Sequence, residues 1–136
     1  MRRLFTLSSA FVVLFTFSAC AADVPHLAPV EAAQRAAAGT AVLVDVREPD
    51  EWVETGVVVG AATLALSDLR GERLAWAPFL KTHREHEIIL YCRSGNRSGQ
   101  AARLLAAEGF RVANAGGLRD WLAAGQKVAP PQLKSP

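Results

Sequence analysis

Cysteine is scarce in this chain of 136 residues, which has only two, Cys20 and Cys92. An excess of charge is also missing: the formal net charge is +2, and setting aside Arg2 and Arg3 leaves 13 basic side chains against 13 acidic ones. Without a clustered basic excess, nucleic acid is not an expected partner. The one long apolar run, residues 4–17, falls short of the ~20 residues that a spanning helix needs. His83 and His86 stand three apart without a third convergent ligand, so a solvated loop is expected there rather than a metal centre. No internal repeat is visible. What is present is 51% hydrophobic and 21% charged residues with 10 Gly and 7 Pro, the composition of a foldable globular chain. The length allows one domain with a modest core and excludes two independent lobes.

Residues 1–20 read as a targeting segment and are set aside from the fold. Arg2 and Arg3 precede the apolar run, and the small residues Ser18 and Ala19 follow it. Two main ways of processing are open. Phe17-Ser18-Ala19-Cys20 resembles the lipobox of bacterial lipoproteins, in which Cys20 would be acylated and anchored to the membrane. Ala19-Cys20-Ala21 equally fits ordinary secretory cleavage, and an uncleaved anchor is the minor third route. Either main route exports the domain to the periplasm, free or lipid-anchored, where paired cysteines are the norm. Once Cys20 is acylated or removed, Cys92 has no partner in its own chain. Such a thiol is either inert and buried or reactive, and its neighbours decide.

Downstream, apolar β-branched segments alternate with helical ones. Residues 29–38 suit a helix stopped by Gly39, and residues 41–46 (AVLVDV) a strand buried on both faces. Pro49 opens a short helical turn near Trp52, and residues 66–79 carry Leu and Trp at helical spacing. Residues 87–92 (EIILYC) read as the second clear strand, 98–108 as a helix ending at Gly109, 112–113 as a strand, Gly116-Gly117 as a turn, and 118–124 as a last helix. The pattern predicts an α/β fold of three layers: a central, mostly parallel sheet with helices on both faces. In such sheets ligands gather outside the carboxyl ends of the strands, where Cys92 stands. The folded domain is expected over residues 26–126, and a disordered, proline-containing tail over 127–136. Trp52, Trp76 and Trp121 are expected to pack, not to form a stacking platform.

The chemistry concentrates in Cys92-Arg93-Ser94-Gly95-Asn96-Arg97, between a strand and a helix. Successive N–H groups there can curl into an anion-binding nest, with Gly95 allowing a left-handed turn. The positive end of the following helix and the charges of Arg93 and Arg97 favour the same anion. A cysteine so placed falls from its usual pKa of ~8.5 into a range of ~3.5 to 7.5 and becomes a nucleophile.

In these residues the chain resembles a single-domain rhodanese, the thiosulfate sulfurtransferase family of exported bacterial type. The resemblance rests on VLVDVREPDEW (residues 42–52), IILYCRSGNRSGQAARLL (88–105), and the run from Gly109-Phe110 through Gly116-Gly117 to Trp121, and it covers residues 26–124. It implies a three-layer rhodanese-like domain that moves sulfane sulfur from thiosulfate, or a similar small anion, to cyanide or a thiol through a persulfide on Cys92. It implies substrate binding by Arg93, Ser94, Gly95, Asn96 and Arg97, support from Asp45 and Arg47 as an ion pair, and no metal or organic cofactor. Arg93 favours thiosulfate over mercaptopyruvate, whose specific relatives resemble Cys-Gly-Ser-Gly here. Gly56-Val57-Val58-Val59-Gly60-Ala61 departs from the Gly-His-Ile-Pro-Gly-Ala common among relatives.

Two other readings compete. A non-catalytic module of the same fold would use the nest to dock an anionic partner group. A cysteine phosphatase or arsenate reductase would need an arginine six positions after the cysteine, but Ser98 occupies that position and the arginine falls one earlier, at Arg97.

Overall fold

The computed structural model describes residues 23–131; the targeting segment with Cys20, and residues 132–136, lie outside them. In chain order the elements are α1 (Pro29–Ala37), β1 (Ala41–Asp45), α2 (Pro49–Thr55), β2 (Val57–Val58), β3 (Ala62–Thr63), α3 (Leu66–Arg70), α4 (Trp76–Thr82), β4 (Glu87–Cys92), α5 (Asn96–Ala107), β5 (Val112–Gly117), α6 (Leu118–Ala123) and β6 (Val128–Ala129). Four strands pair in parallel in the order β3-β1-β4-β5, and β2 and β6 form a small antiparallel pair.

The parallel strands are apolar on both sides, and strand alternation sorts their side chains into two cores. Val44, Val46, Ile88, Leu90 and Cys92 face α3, α4 and α5, packing with Leu69, Trp76, Ala101 and Leu105. Ala41, Leu43, Ile89, Tyr91 and Ala113 face the other way, against Ala32 of α1 and Leu118 and Trp121 of α6. The layers are thus helix, sheet, helix, the α/β class expected from the sequence. Trp76 and Trp121 are wholly buried, and their indole N–H groups donate to the carbonyls of Ala65 and Ala115 at 2.8 and 2.9 Å. A tryptophan satisfied in this way buries its whole ring without a polar penalty.

The strand order places the site. The chain moves from β1 to β3 on one side, then crosses back so that β4 joins the opposite side of β1. The carboxyl ends of β1 and β4 therefore lie at a switch point, where diverging connections leave a crevice. Asp45 pairs with Tyr91 across it, one residue from Cys92.

Several boundaries differ from the sequence-based expectation. Residues 66–79 are two helices, because α3 stops at Gly71 and the Asp68 carboxylate accepts the free N–H groups of Leu74, Ala75 and Trp76 at 2.8 to 3.2 Å, starting α4 anew. Helix α5 opens at Asn96, two residues earlier than expected. Gly116-Gly117 is the end of β5 and leads straight into α6. The expected tail over 127–136 is corrected at its start: Val128 and Ala129 pair with Val58 and Val57, so backbone hydrogen bonding carries the fold past residue 126.

Candidate active site

Cys92 is the last residue of β4, and alternation turns its wholly buried side chain toward α5. The chain then folds back on the sulfur. Gly95 adopts φ +89°, in the left-handed region that favours glycine, and the Gly95 N–H donates to Cys92 Sγ at 3.1 Å. Helix α5 starts at the next residue, so its N-terminal amides and positive dipole end converge on the same atom. Burial pushes the Cys92 thiol up, but hydrogen bonds from the Ser98 hydroxyl and from the N–H groups of Ser98, Ser94 and Gly95 outweigh it and hold the thiol below its ordinary value. These bonds go to the charged form, so each lowers the pKa by stabilising the thiolate.

The loop holds its shape because β5 packs under it. Between Leu90 and Cys92 the pairing of β4 with β5 slips: Leu90 pairs with Asn114 but Cys92 pairs with Gly117, a bulge that admits one extra residue in β5. A Cβ on Gly117 would sit 2.6 Å from the Arg93 carbonyl oxygen and 3.0 Å from Ser94 Cα, both backbone atoms, so only glycine lets the loop close down here. The Gly-Gly pair that reads as a turn in the sequence is the floor of the cysteine loop.

The expected site residues divide in the structure. Arg93 and Ser94 are exposed and line an open cleft of about 850 Å³ together with Glu51 and Glu54 of α2 and Arg119 and Leu122 of α6. Asn96 is exposed, and its side-chain carbonyl accepts from Gln100 along α5, away from the sulfur. Arg97 corrects the expectation of a doubly cationic cradle: both its terminal nitrogens donate to the Glu51 carboxylate, at 2.5 and 2.7 Å. Its hydrogen bonds go to α2, so toward the sulfur it acts by charge at a distance, while the donors that chiefly hold the thiol down are a hydroxyl and backbone amides. Asp45 and Arg47 form a buried ion pair, closest at 2.6 Å, at the exit of β1. Arg47 also donates to the Thr55 hydroxyl and the Gly56 carbonyl at 2.7 Å each, tying α2 to the sheet.

Three residues that position the loop were not singled out from the sequence. Glu51 sits 46 residues from Arg97 and nothing local links them. Ser98 enters the sequence reading as the start of a helix and as the residue in the phosphatase arginine position, although a hydroxyl in the first turn of a helix can also reach back to the preceding strand end. Asn114, a polar side chain within an otherwise small and apolar β5, was the signal available, because such a residue needs polar partners.

Glu51 also receives the Glu48 N–H at 3.1 Å in a capping box of α2. Its carboxyl is lowered to about 2, first by the Arg97 hydrogen bonds, which overcome burial. A depressed carboxylate contributes stability that is present above the unfolded value and lost as pH falls through the folded one. Glu51→Gln is expected to cost about 1–2 kcal/mol at neutral pH, after discounting for solvent screening at a partly open site. Urea unfolding of both proteins should show that difference shrinking between about pH 4.5 and 2. An equal difference at both ends of that range would show that the ion pair is not its source.

A buried cysteine whose thiol is held below its ordinary pKa, at the end of a parallel strand in a glycine-closed amide loop, marks the candidate site of this α/β domain. The chain belongs to the Rhodanese-like domain family, which it matches over residues 28–124. It is 34% identical over 92 residues to the thiosulfate sulfurtransferase PspE of Escherichia coli, covering 67% of this chain and 77% of that protein. It is 32% identical over 94 residues to the thiosulfate:glutathione sulfurtransferase of Saccharomyces cerevisiae, covering 62% and 66%. The human single-domain sulfurtransferase TSTD1 superposes with a TM-score of 0.60 at 25% identity, over 74% of this chain and 97% of that one. A Rhodopseudomonas palustris protein of unknown function, described as a possible tyrosine phosphatase, superposes with a TM-score of 0.66 at 25% identity, over 78% and 85%. Family and relatives together support a sulfurtransferase role, with a sulfur donor and a thiol acceptor as its general kind of partner.

Proposed function

We propose that this protein is a thiosulfate sulfurtransferase in which Cys92 is the nucleophile and the carrier of the transferred sulfur. The Cys92 thiolate attacks the outer sulfur of thiosulfate. A new S–S bond forms to Cys92 as the S–S bond of thiosulfate breaks, its electron pair leaving with sulfite, and the protein retains a persulfide whose terminal sulfur is negative. An acceptor nucleophile, cyanide or a thiolate, then attacks that terminal sulfur, takes it, and returns Cys92 as thiolate. No proton, electron or cofactor is needed to balance either half.

The observation that carries this reading is the set of N–H groups from Ser94, Gly95 and Ser98 directed at Sγ. Backbone donors at a helix start stabilise an anion with no reorganisation, so they serve the thiolate before transfer and the persulfide after it. Arg93, exposed at the cleft and carrying no ion pair among the described residues, provides a cation for an arriving dianion. The phosphatase description of one structural neighbour is less well supported for this chain, because the loop's arginine is bound to Glu51 and Ser98 fills the position where a phosphatase places its own.

Incubation with thiosulfate alone, followed by mass spectrometry of the Cys92 peptide, is expected to show a gain of about 32 Da (one sulfur atom), and addition of cyanide should discharge it as thiocyanate. A Cys92 peptide of unchanged mass, with no thiocyanate formed, would overturn the proposal.

A further inference from the structure

Beyond the sulfur and its amides, one side chain joins the cysteine loop, the first turn of α5 and the end of β5. The Asn114 carboxamide donates from Nδ2 to the Gly95 carbonyl at 3.0 Å, while its Oδ1 accepts from the Gly116 N–H at 3.1 Å and from the Ser98 hydroxyl at 2.7 Å. The carbonyl on one side and the amide on the other fix which end of the carboxamide is oxygen. Asn114 is held there by the β5 bulge: it pairs with Leu90 just before the slip, and strand alternation turns it toward α5.

Ser98 has one proton and two acceptors within reach. It lies 2.7 Å from Asn114 Oδ1 and 3.5 Å from Cys92 Sγ, and it is wholly buried, so water cannot take its place. While the sulfur is a thiol, the shorter bond to Asn114 holds the proton. When the sulfur becomes negative, a charge-assisted bond to it competes with the neutral bond to the carboxamide. We propose that Asn114 is a positioning residue that controls how far the Ser98 hydroxyl turns to the Cys92 sulfur, making Ser98 a donor with two positions. The proton stays on Ser98 Oγ in both; only its direction changes. This rests on Cys92 being the reacting sulfur.

The charged groups around the site leave the assignment intact. On α2, Glu51 is paired with Arg97 of α5; at the end of β1, Asp45 is paired with Arg47. Arg93 projects to the cleft. On the Asn114 side, the Asp120 carboxylate accepts the Gly117 N–H at 3.1 Å, and the ring of His26 lies near Gly116. Of these, Arg97 feels the Cys92 charge across space, but the donor that does most to hold the thiol down is the Ser98 hydroxyl, followed by the N–H groups of Ser98, Ser94 and Gly95.

The consequence is a pair of opposite shifts. Asn114→Leu removes the competing acceptor and frees Ser98 for the sulfur, so the thiol titrates at lower pH, by about half a unit. Asn114→Asp supplies a stronger acceptor and a negative charge, so the thiol titrates higher, by about one unit or more. A purely structural role, in which Asn114 only braces the Gly95 turn, would loosen the amides in both variants and raise both.

The test is a thiolate ultraviolet titration of the full chain, read as the difference from Cys92→Ser so that Cys20 and tyrosine cancel. Opposite shifts in the two variants are the expected result, and shifts in one direction, or none, would overturn the proposal. Should Asn114→Leu fail to fold, Asn114→Asp measured with and without Ser98→Ala decides: the shift should fall by at least half when the hydroxyl is gone, and a shift of unchanged size would mean that charge alone acts. The titration needs no sulfur transfer. A protein that makes no thiocyanate but shows opposite shifts keeps this inference and loses the proposed activity, and the reverse result does the opposite.

Discussion

Cys92→Ser is expected to abolish thiosulfate-to-cyanide sulfur transfer, by about a thousandfold or more, with no loss of fold. A serine hydroxyl fits the space, since Cys92 is wholly buried and the nearest loop donors are a backbone amide and a hydroxyl that can also bond oxygen. It cannot be ionised near neutral pH, because the same donors that bring a thiol down from ~8.5 start, for an alcohol, from a far higher value. Nor can an alkoxide store sulfane sulfur as a persulfide. Far-ultraviolet circular dichroism and the thermal midpoint should stay close to the parent while thiocyanate production disappears. The variant also separates an enzyme from a domain that merely docks an anionic group on the same nest: a docking module should keep its partner when the sulfur is gone. Substantial turnover by the folded serine variant would remove Cys92 from the chemistry altogether.

The second large effect is on stability. Asp45→Ala is expected to cost about 3–5 kcal/mol, because it leaves the Arg47 guanidinium buried and uncompensated. Asp45 and Arg47 are 0% and 2% exposed, and three donors of Arg47, its backbone N–H, Nε and Nη2, converge on the two carboxylate oxygens. Burial alone would lower Arg47, and the Asp45 hydrogen bond and charge more than restore it. Tyr91, pushed above its ordinary range by burial first and by the Asp45 charge second, stays neutral beside them, its hydroxyl oxygen accepting the Val58 N–H at 2.9 Å. The thermal midpoint should fall by more than about 10 °C. Replacing both partners by apolar residues of similar size should recover part of the loss, since the penalty comes from the orphaned charge; the Thr55 and Gly56 contacts of Arg47 would remain broken. A single substitution costing less than about 1 kcal/mol would mean that Arg47 finds water or another partner when released.

The main lines of the fold were legible because they depend on local pattern. AVLVDV and EIILYC are too apolar and too short to be anything but strands buried on both faces, and helical segments between parallel strands leave few ways to arrange layers. The proposed nucleophile was legible for a related reason: a cysteine at a strand end, a glycine three residues on, and a helix start close behind are contiguous. Interruptions set by side chains reaching across loops were less visible. The break between α3 and α4 depends on Asp68 accepting three amides six to eight residues away, and the β2–β6 pair joins segments 70 residues apart.

What the sequence determined by itself was the class of the domain and the amide loop around the candidate sulfur, because each is written in neighbouring residues whose backbone preferences agree. Only the tertiary structure decided which charges serve that sulfur. Arg97 lies five residues from Cys92, yet it is drawn to a carboxylate on α2, while the stabilising hydroxyl of Ser98 is shared with an asparagine from β5. The physical reason is that electrostatic partnership follows distance in space, and α2, α5 and β5 meet only after the sheet has formed.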